Sequence, residues 1–442
     1  MVDLLIQRRA ARRPGCGGLR VRAVAAAVAA ACACVGAAPI RNVILCIGDG
    51  MGPGQVEAGR CYKGAPLVFE AFPFQARVST LAAGGVVTDS AAAATALATG
   101  YKAADGVVSQ ALPGDGADRE TVLETYARLG KSTGLVTTSY LTDATPAGFG
   151  AHASSRYDQT KIASDYLART RPNVLFGGGG NSLWAEDAAA AGYRVAGDAA
   201  GLLALRDAPE DHVAGLFGWG ALPYVYDGLD GLPSLTQMAD VALARLSRDP
   251  DGFFLMVEGG RIDHACHAND ILRCVTEVAA FDEAVRRICA WASNRVDTLV
   301  LVTADHETGG LRVVGDRGAG ACPDVTWSTG GHTGASVGAY GLGANASRVG
   351  LLTDNTEVHG VACSEALMPA TGVGVARLSA SRVQSVWAVN SGDVCRVEYS
   401  STLAPPVWQT GGTATATCTR ISFEMSPAAP GGRGFYRVIT AP

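Results

Sequence analysis

Arg41-Asn42-Val43-Ile44-Leu45-Cys46-Ile47-Gly48-Asp49-Gly50-Met51-Gly52 is an unbroken apolar run that ends in a glycine-rich turn carrying one acid. A run without polar alternation fits a strand covered on both faces, as in a parallel sheet. The design recurs. Residues 253–257 lead into Glu258, residues 298–303 into Asp305-His306, and residues 132–140 into Asp143-Ala144-Thr145-Pro146. Helix-like segments lie between these runs, over 120–129, 158–169, 235–248 and 268–292. Alternating strands and helices predict an α/β protein, an α/β/α sandwich around a large, mostly parallel central sheet. In open α/β sheets ligands bind at the carboxyl ends of strands, so the acids that follow these runs are expected to converge.

A second stretch, Thr88-Asp89-Ser90 and the alanine-rich run up to Gly100, predicts a helix. Alanine is the strongest helix former, and Gly100 is placed to end it. Ser90 falls at or near the first turn, where unpaired backbone N–H groups and the positive end of the helix dipole favour an anion or a negatively charged adduct. A serine there can equally be a plain N-cap. The rest of the chain decides between the two.

The chain has 442 residues, 48% of them hydrophobic and 17% charged, with a formal net charge of -5. That is enough for one large domain plus a further module, and it gives no sign of a disordered chain or a nucleic-acid binder. The N-terminus carries Arg8, Arg9, Arg12, Arg13, Arg20 and Arg22 against one acid, Asp3, followed by an uncharged apolar stretch to Val35-Gly36-Ala37. Residues 1–37 therefore read as a signal peptide, the apolar stretch being too short for an ordinary membrane span. The arginine pairs also suit a twin-arginine signal, and Cys32 or Cys34 a lipidation site. An exported protein is expected, whether periplasmic, cell-surface or extracellular. Of twelve cysteines, nine lie beyond this segment with no Cys-x-x-Cys among them, which argues against a zinc–thiolate site. Cys46 reads as a core residue, and Cys395 with Cys418 as the first pair to test for a disulfide.

Residues 38–375 form the expected main domain. Over 380–442 short alternating segments separated by Pro, Gly and Thr clusters predict a small β-rich C-terminal module, joined through a linker near 368–376. This module has no His and few acids. It is expected to carry no chemistry, and either caps the fold or binds a surface, glycan or protein.

The candidate metal ligands are carboxylates and imidazoles. Asp263 and His267 are four apart, which on a helix puts both on one face. Asp305-His306 offers two donors at a strand end, and His332 lies in the loop Gly330-Gly331-His332-Thr333-Gly334. An Asp, Glu and His set without thiolate suits Zn²⁺, Mg²⁺ or Mn²⁺. His212 and His359, with no acid at ligand-like spacing, read as structural.

Taken in order, Asp49-Gly50-Met51-Gly52, Thr88-Asp89-Ser90-Ala91, Asp143-Ala144-Thr145-Pro146 with His152-Ala153-Ser154-Ser155-Arg156, Glu258 with Asp263 and His267, Thr303-Ala304-Asp305-His306 and His332-Thr333-Gly334 resemble the alkaline phosphatase family. The resemblance covers roughly 40–367 and includes the closing Asp354-Asn355-Thr356-Glu357. It implies hydrolysis of small phosphate monoesters, with Ser90 as nucleophile and Arg156, oriented by Asp89, as a clamp on two phosphate oxygens. It further implies Asp263, His267 and His332 around one Zn²⁺, Asp49, Asp305 and His306 around a second, and Asp49, Thr145 and Glu258 around Mg²⁺. Bacterial members often carry Asp and Lys, and animal members two His, where this chain has Asp143 and His264. The third-ion site is therefore expected to differ in detail. His332 follows His306 by only 26 positions; loops that build the family's dimer-top insert are expected to be reduced, while a homodimer is still implied.

The chemistry stands beside the resemblance. A serine hydroxyl is a poor nucleophile at neutral pH, and no His is close to Ser90 in sequence to act as its base. A pair of divalent cations about 3.5–4 Å apart can activate the hydroxyl and stabilise the leaving oxygen. The planar fork of Arg156 matches phosphoryl oxygens in a way that Lys does not. The rival readings are a phosphodiesterase or sulfatase of the same superfamily, and a metal-stabilised surface-binding protein. The sulfatase Cys/Ser-x-Pro-x-Arg motif is absent around Ser90.

Overall fold

The computed structural model describes residues 40–363 and, beyond them, the backbone of six strands between 372 and 441. The segment 1–37 and Cys418 of the nominated cysteine pair lie outside the described residues. Eight strands, β1 (Asn42–Gly48), β2 (Phe74–Val78), β3 (Ser132–Tyr140), β4 (Val174–Gly179), β5 (Arg194–Ala196), β6 (Val213–Trp219), β7 (Phe253–Gly259) and β8 (Thr298–Thr303), join Val337–Gly343 in one nine-stranded sheet. Its order is β2, Val337–Gly343, β8, β1, β7, β3, β4, β6, β5. Val337–Gly343 runs antiparallel to β2 and β8, and the other pairings are parallel. Every residue of β1, β7 and β8 is buried. Successive side chains point to opposite faces, so both faces of the sheet are covered here, as the unbroken apolar runs require. This is the expected α/β architecture with a mostly parallel sheet.

Several helices start where a side chain caps them. Thr121 and Glu124 form a capping box for Val122–Arg128, and Ser234 and Gln237 one for Leu235–Leu246. Two expectations need correction. The segment read as one helix over 268–292 begins only at Ile271: Arg261–His267 is a separate helix, Asn269 turns the chain with φ 52, and the Asp270 side chain then caps Ile271–Ala292 by accepting from Arg273 N. The segment over 158–169 is α-helical only through Gln159–Ser164 and π-helical over Asp165–Arg169, where Asp165 turns inward to accept from the backbone N–H of His152 at 3.0 Å.

The C-terminal strands form two three-stranded antiparallel sheets. One contains Gly372–Ser379, Arg382–Ala388 and Arg420–Met425; the other contains Gln409–Thr415, Val394–Ser400 and Phe435–Ala441. Gly372–Ser379 takes up residues read above as linker; its Gly-Val-Gly-Val alternation has the period of a strand.

Candidate active site

The helix Ser90–Thr99 is capped by Asp89, whose Oδ1 accepts from Ala92 N at 3.0 Å, and it closes at Gly100 with φ 77. Ser90 is thus the first helical residue, not the cap. It is 4% exposed, and its Oγ lies 3.2 Å from His306 Nε2. The whole helix is buried, which its small residues allow. The neighbouring helix Ala144–Gly150 comes so close that a Cβ added to Gly148 would lie 2.6 Å from Ala94 Cβ. Backbone-to-backbone packing therefore fixes Ser90 relative to Asp143 and Thr145 at the start of that second helix.

Arg156 is held on two sides. Its Nη1 donates to Asp89 Oδ2 and its Nη2 to Asp143 Oδ1, each at 3.0 Å. The Asp143 contact adds a second anchor to the one from Asp89, at a residue whose expected place was near a third ion. Asp143 also accepts from Ser139 Oγ at 2.5 Å, and Asp89 from Gly106 N at 3.0 Å. Burial opposes ionisation of Asp89, but the N–H groups of Ala92 and Gly106 and the Arg156 guanidinium outweigh it and hold its carboxyl below the usual range. Burial likewise works against the Arg156 charge, and Asp143 and Asp89 overcome it.

Two clusters of ligand atoms face this corner: Asp263, His267 and His332, and Asp49, Asp305 and His306, with the atoms of each cluster within 4.8 Å of one another. In the first, His267 Nδ1 bonds Gly330 O at 2.7 Å and His332 Nδ1 bonds Thr88 O at 2.8 Å. Both Nδ1 atoms donate to backbone carbonyls, which turns both Nε2 atoms into the cluster, 3.2 Å apart. Asp263 Oδ2 is 3.1 Å from His267 Nε2 and Asp263 Oδ1 is 3.8 Å from His332 Nε2. By accepting from a protonated His267 Nε2, the Asp263 carboxylate pushes His267 up to about 9. The cluster attracts positive charge.

The second cluster is completely shielded: Asp305 and His306 are 0% exposed and Asp49 5%. His306 Nε2 lies 3.2 Å from Asp305 Oδ2 and 3.7 Å from Asp49 Oδ1, and these two carboxylate oxygens have no hydrogen-bond donor. Burial, then Asp305 and Asp263, push the Asp49 carboxyl well up. Buried carboxylate oxygens without donors are costly unless a cation takes them. Both donor sets therefore fit divalent metal ions, and their nitrogen and oxygen chemistry suits Zn²⁺.

Glu258, the last residue but one of β7, lies beside Thr137 and Thr145, whose hydroxyls hydrogen-bond it. Burial, with Asp143 and Asp305 nearby, outweighs those bonds and pushes its carboxyl up to about 8. His264 joins neither ligand cluster among the described residues; its Nδ1 accepts from Arg261 Nη1 at 2.7 Å. Arg261 lies three residues earlier on the same helix, a spacing that could have revealed the pair. The approach of His306 to Ser90 and of Asp143 to Arg156 had no such local signal.

The model of the alkaline phosphatase family matches residues 40–323. Alkaline phosphatase 3 of Bacillus subtilis is 39% identical over 296 residues, covering 63% of this chain and 63% of that protein. The alkaline phosphatase of Escherichia coli is 31% identical over 400 residues, covering 72% of this chain and 84% of that protein. The chain thus spans 63% of the length of the Bacillus relative. The alkaline phosphatase of the Antarctic bacterium TAB5 has a similar structure, with a TM-score of 0.66 at 28% identity over 74% of this chain and 99% of that one; a variant of it was solved with Mg bound in its M3 site. By the family match and the shared fold, this chain belongs to the alkaline phosphatase family.

Proposed function

We propose that the chain is an exported alkaline phosphatase that hydrolyses phosphate monoesters through a phosphoserine at Ser90. The observation that carries this reading is the meeting of two kinds of group: Arg156, held by Asp89 and Asp143, and two clusters of carboxylate and imidazole ligand atoms, one of which reaches Ser90 Oγ through His306 at 3.2 Å. In this reading Asp263, His267 and His332 hold one Zn²⁺, and Asp49, Asp305 and His306 a second. Glu258, Thr145 and Asp49 hold Mg²⁺, in line with the Mg in the TAB5 M3 site. When bound, the two zinc ions lower the pKa of the Ser90 hydroxyl and of water and stabilise the leaving alkoxide.

The protein's own part is placement. Ser90 Oγ, at the positive end of its helix, attacks phosphorus, loses its proton and displaces the alcohol, whose oxygen takes up a proton. Arg156 pairs with two phosphoryl oxygens throughout and holds phosphorus in line. Water then attacks the phosphoserine, releasing inorganic phosphate and restoring Ser90. Residues 1–37 serve as the export signal, 38 to about 371 as the catalytic domain, and the strands from Gly372 onward as a module that caps the fold or binds a surface, glycan or protein; the working unit is a homodimer.

The test is hydrolysis of p-nitrophenyl phosphate at alkaline pH by the full chain loaded with Zn²⁺ and Mg²⁺. EDTA should abolish it, and Ser90→Ala should lower kcat about a thousandfold or more with the metals retained. EDTA-sensitive turnover at the wild-type rate in Ser90→Ala would refute the covalent route.

A further inference from the structure

Trp219, at the end of β6, is 86% exposed, the most exposed large apolar side chain among the described residues. Trp184 follows β4 after the tight turn Gly180 to Leu183 and is 40% exposed. The two rings meet with centroids 5.5 Å apart and planes at 54°. That angle leaves no slot between them. Trp184 instead buttresses Trp219, whose outer face stays open.

The pair lies at the carboxyl ends of β4 and β6. β4 and β6 run parallel to β3, so their carboxyl ends lie beside the β3 end that leads to Asp143. Three contacts tie the tryptophans into that corner. Thr160 Oγ1, four residues beyond Arg156, meets Ser182 Oγ at 3.2 Å, two residues before Trp184. The loop after Trp219 returns to β3, where Leu222 N donates to Thr138 O at 2.9 Å. The same loop then passes under Arg261, whose guanidinium lies 3.7 Å from the Tyr224 ring centre. Two strand spacings separate β6 from β3, roughly 10 Å.

An indole that packs on a second indole, stays open on its outer face and lies at the end of a strand about two spacings from the one leading to Asp143 is suited to stack a ring carried by the leaving group. We infer that Trp219, supported by Trp184, is a specificity-determining platform for phosphate monoesters whose leaving group bears a ring well beyond the phosphorus, as in nucleoside 5′-phosphates. The inference rests on the proposed monoesterase reading of the Ser90 site. It predicts a preference for long, ring-bearing alcohols over small acyclic ones.

The test is kcat/KM for adenosine 5′-monophosphate and for glycerol 2-phosphate, measured on the metal-loaded full chain. Trp219→Ala should lower the ratio of the two about tenfold, through KM for the nucleotide, and Trp219→Phe should keep it near the wild-type value. Because Trp219 is exposed, the thermal midpoint of both variants should match wild type. An unchanged ratio in Trp219→Ala overturns the platform and leaves the monoesterase reading standing, as does an unchanged ratio accompanied by loss of the dimer, which would make the pair a subunit contact. A wild-type chain that hydrolyses neither ester removes both.

Discussion

Replacing Arg156 by Ala tests the site with the least disturbance to the fold. The guanidinium has five N–H donors. One goes to Asp89 and one to Asp143, both at 3.0 Å, which leaves three for a substrate. Two of those can pair with phosphoryl oxygens. A hydrogen bond to a charged group contributes about 1.5–3 kcal/mol, so losing two should cost about 3–6 kcal/mol and lower kcat/KM roughly 10²- to 10⁴-fold. The two carboxylates left behind keep other donors: Asp89 retains Ala92 N and Gly106 N, both at 3.0 Å, and Asp143 retains Ser139 Oγ at 2.5 Å. The cap of the Ser90 helix therefore survives, and neither ligand cluster includes Arg156. Steady-state kinetics with p-nitrophenyl phosphate, competitive inhibition by inorganic phosphate and metal analysis of the same samples separate the effects. Phosphate should bind at least about tenfold more weakly while metal content stays at the wild-type level. An unchanged inhibition constant would show that Arg156 does not touch phosphate, whatever happens to the rate.

Two further predictions concern the scaffold. Buried His152 pairs with Glu124 at 3.0 Å. Burial opposes charge on both, but the pair wins, raising the His152 pKa and lowering that of Glu124. The Glu124 contribution is present above about pH 4.5 and lost as pH falls. The His152 contribution is full below about pH 6.5 and lost as pH rises through the raised value. Denaturant unfolding of Glu124→Gln should thus show a loss about 1 kcal/mol larger at pH 6 than at pH 9.5; equal losses would contradict the charged pair. Gly148→Ala places a Cβ 2.6 Å from Ala94 Cβ and 3.0 Å from the Ala94 carbonyl carbon. It should destabilise by about 1–3 kcal/mol and lower kcat by shifting Ser90 against Asp143; an unchanged melting midpoint would show that the two helices have room to part.

What could be read from the sequence follows from which constraints leave a local trace. Burial on both faces leaves an unbroken apolar run, so β1, β7 and β8 are visible with the acids that follow them, Asp49, Glu258 and Asp305. Asp263 and His267 are visible as a pair because helical spacing puts them on one side, and their Nε2–Oδ2 separation is 3.1 Å. Helix starts are less visible from apolar pattern alone: Asp270 carries the cap of Ile271–Ala292, and the apolar residues before it belong to another turn of chain. Least legible are encounters between segments far apart. His267 and His332 are 65 residues apart and His306 and Ser90 are 216 apart, yet each pair lies at 3.2 Å. Asp143 shows the same limit at shorter range. Thirteen residues before Arg156, it has no helical or strand spacing to that residue, and only the turn of the Ala144–Gly150 helix brings Nη2 to Oδ1. The consequence is chemical. Lys at the Arg156 position would keep the positive charge, but its single ammonium cannot span Asp89, Asp143 and two phosphoryl oxygens in one plane. Under the proposed phosphate role, the second carboxylate makes the planar fork of Arg156 necessary for its placement as well as for its grip on the ester.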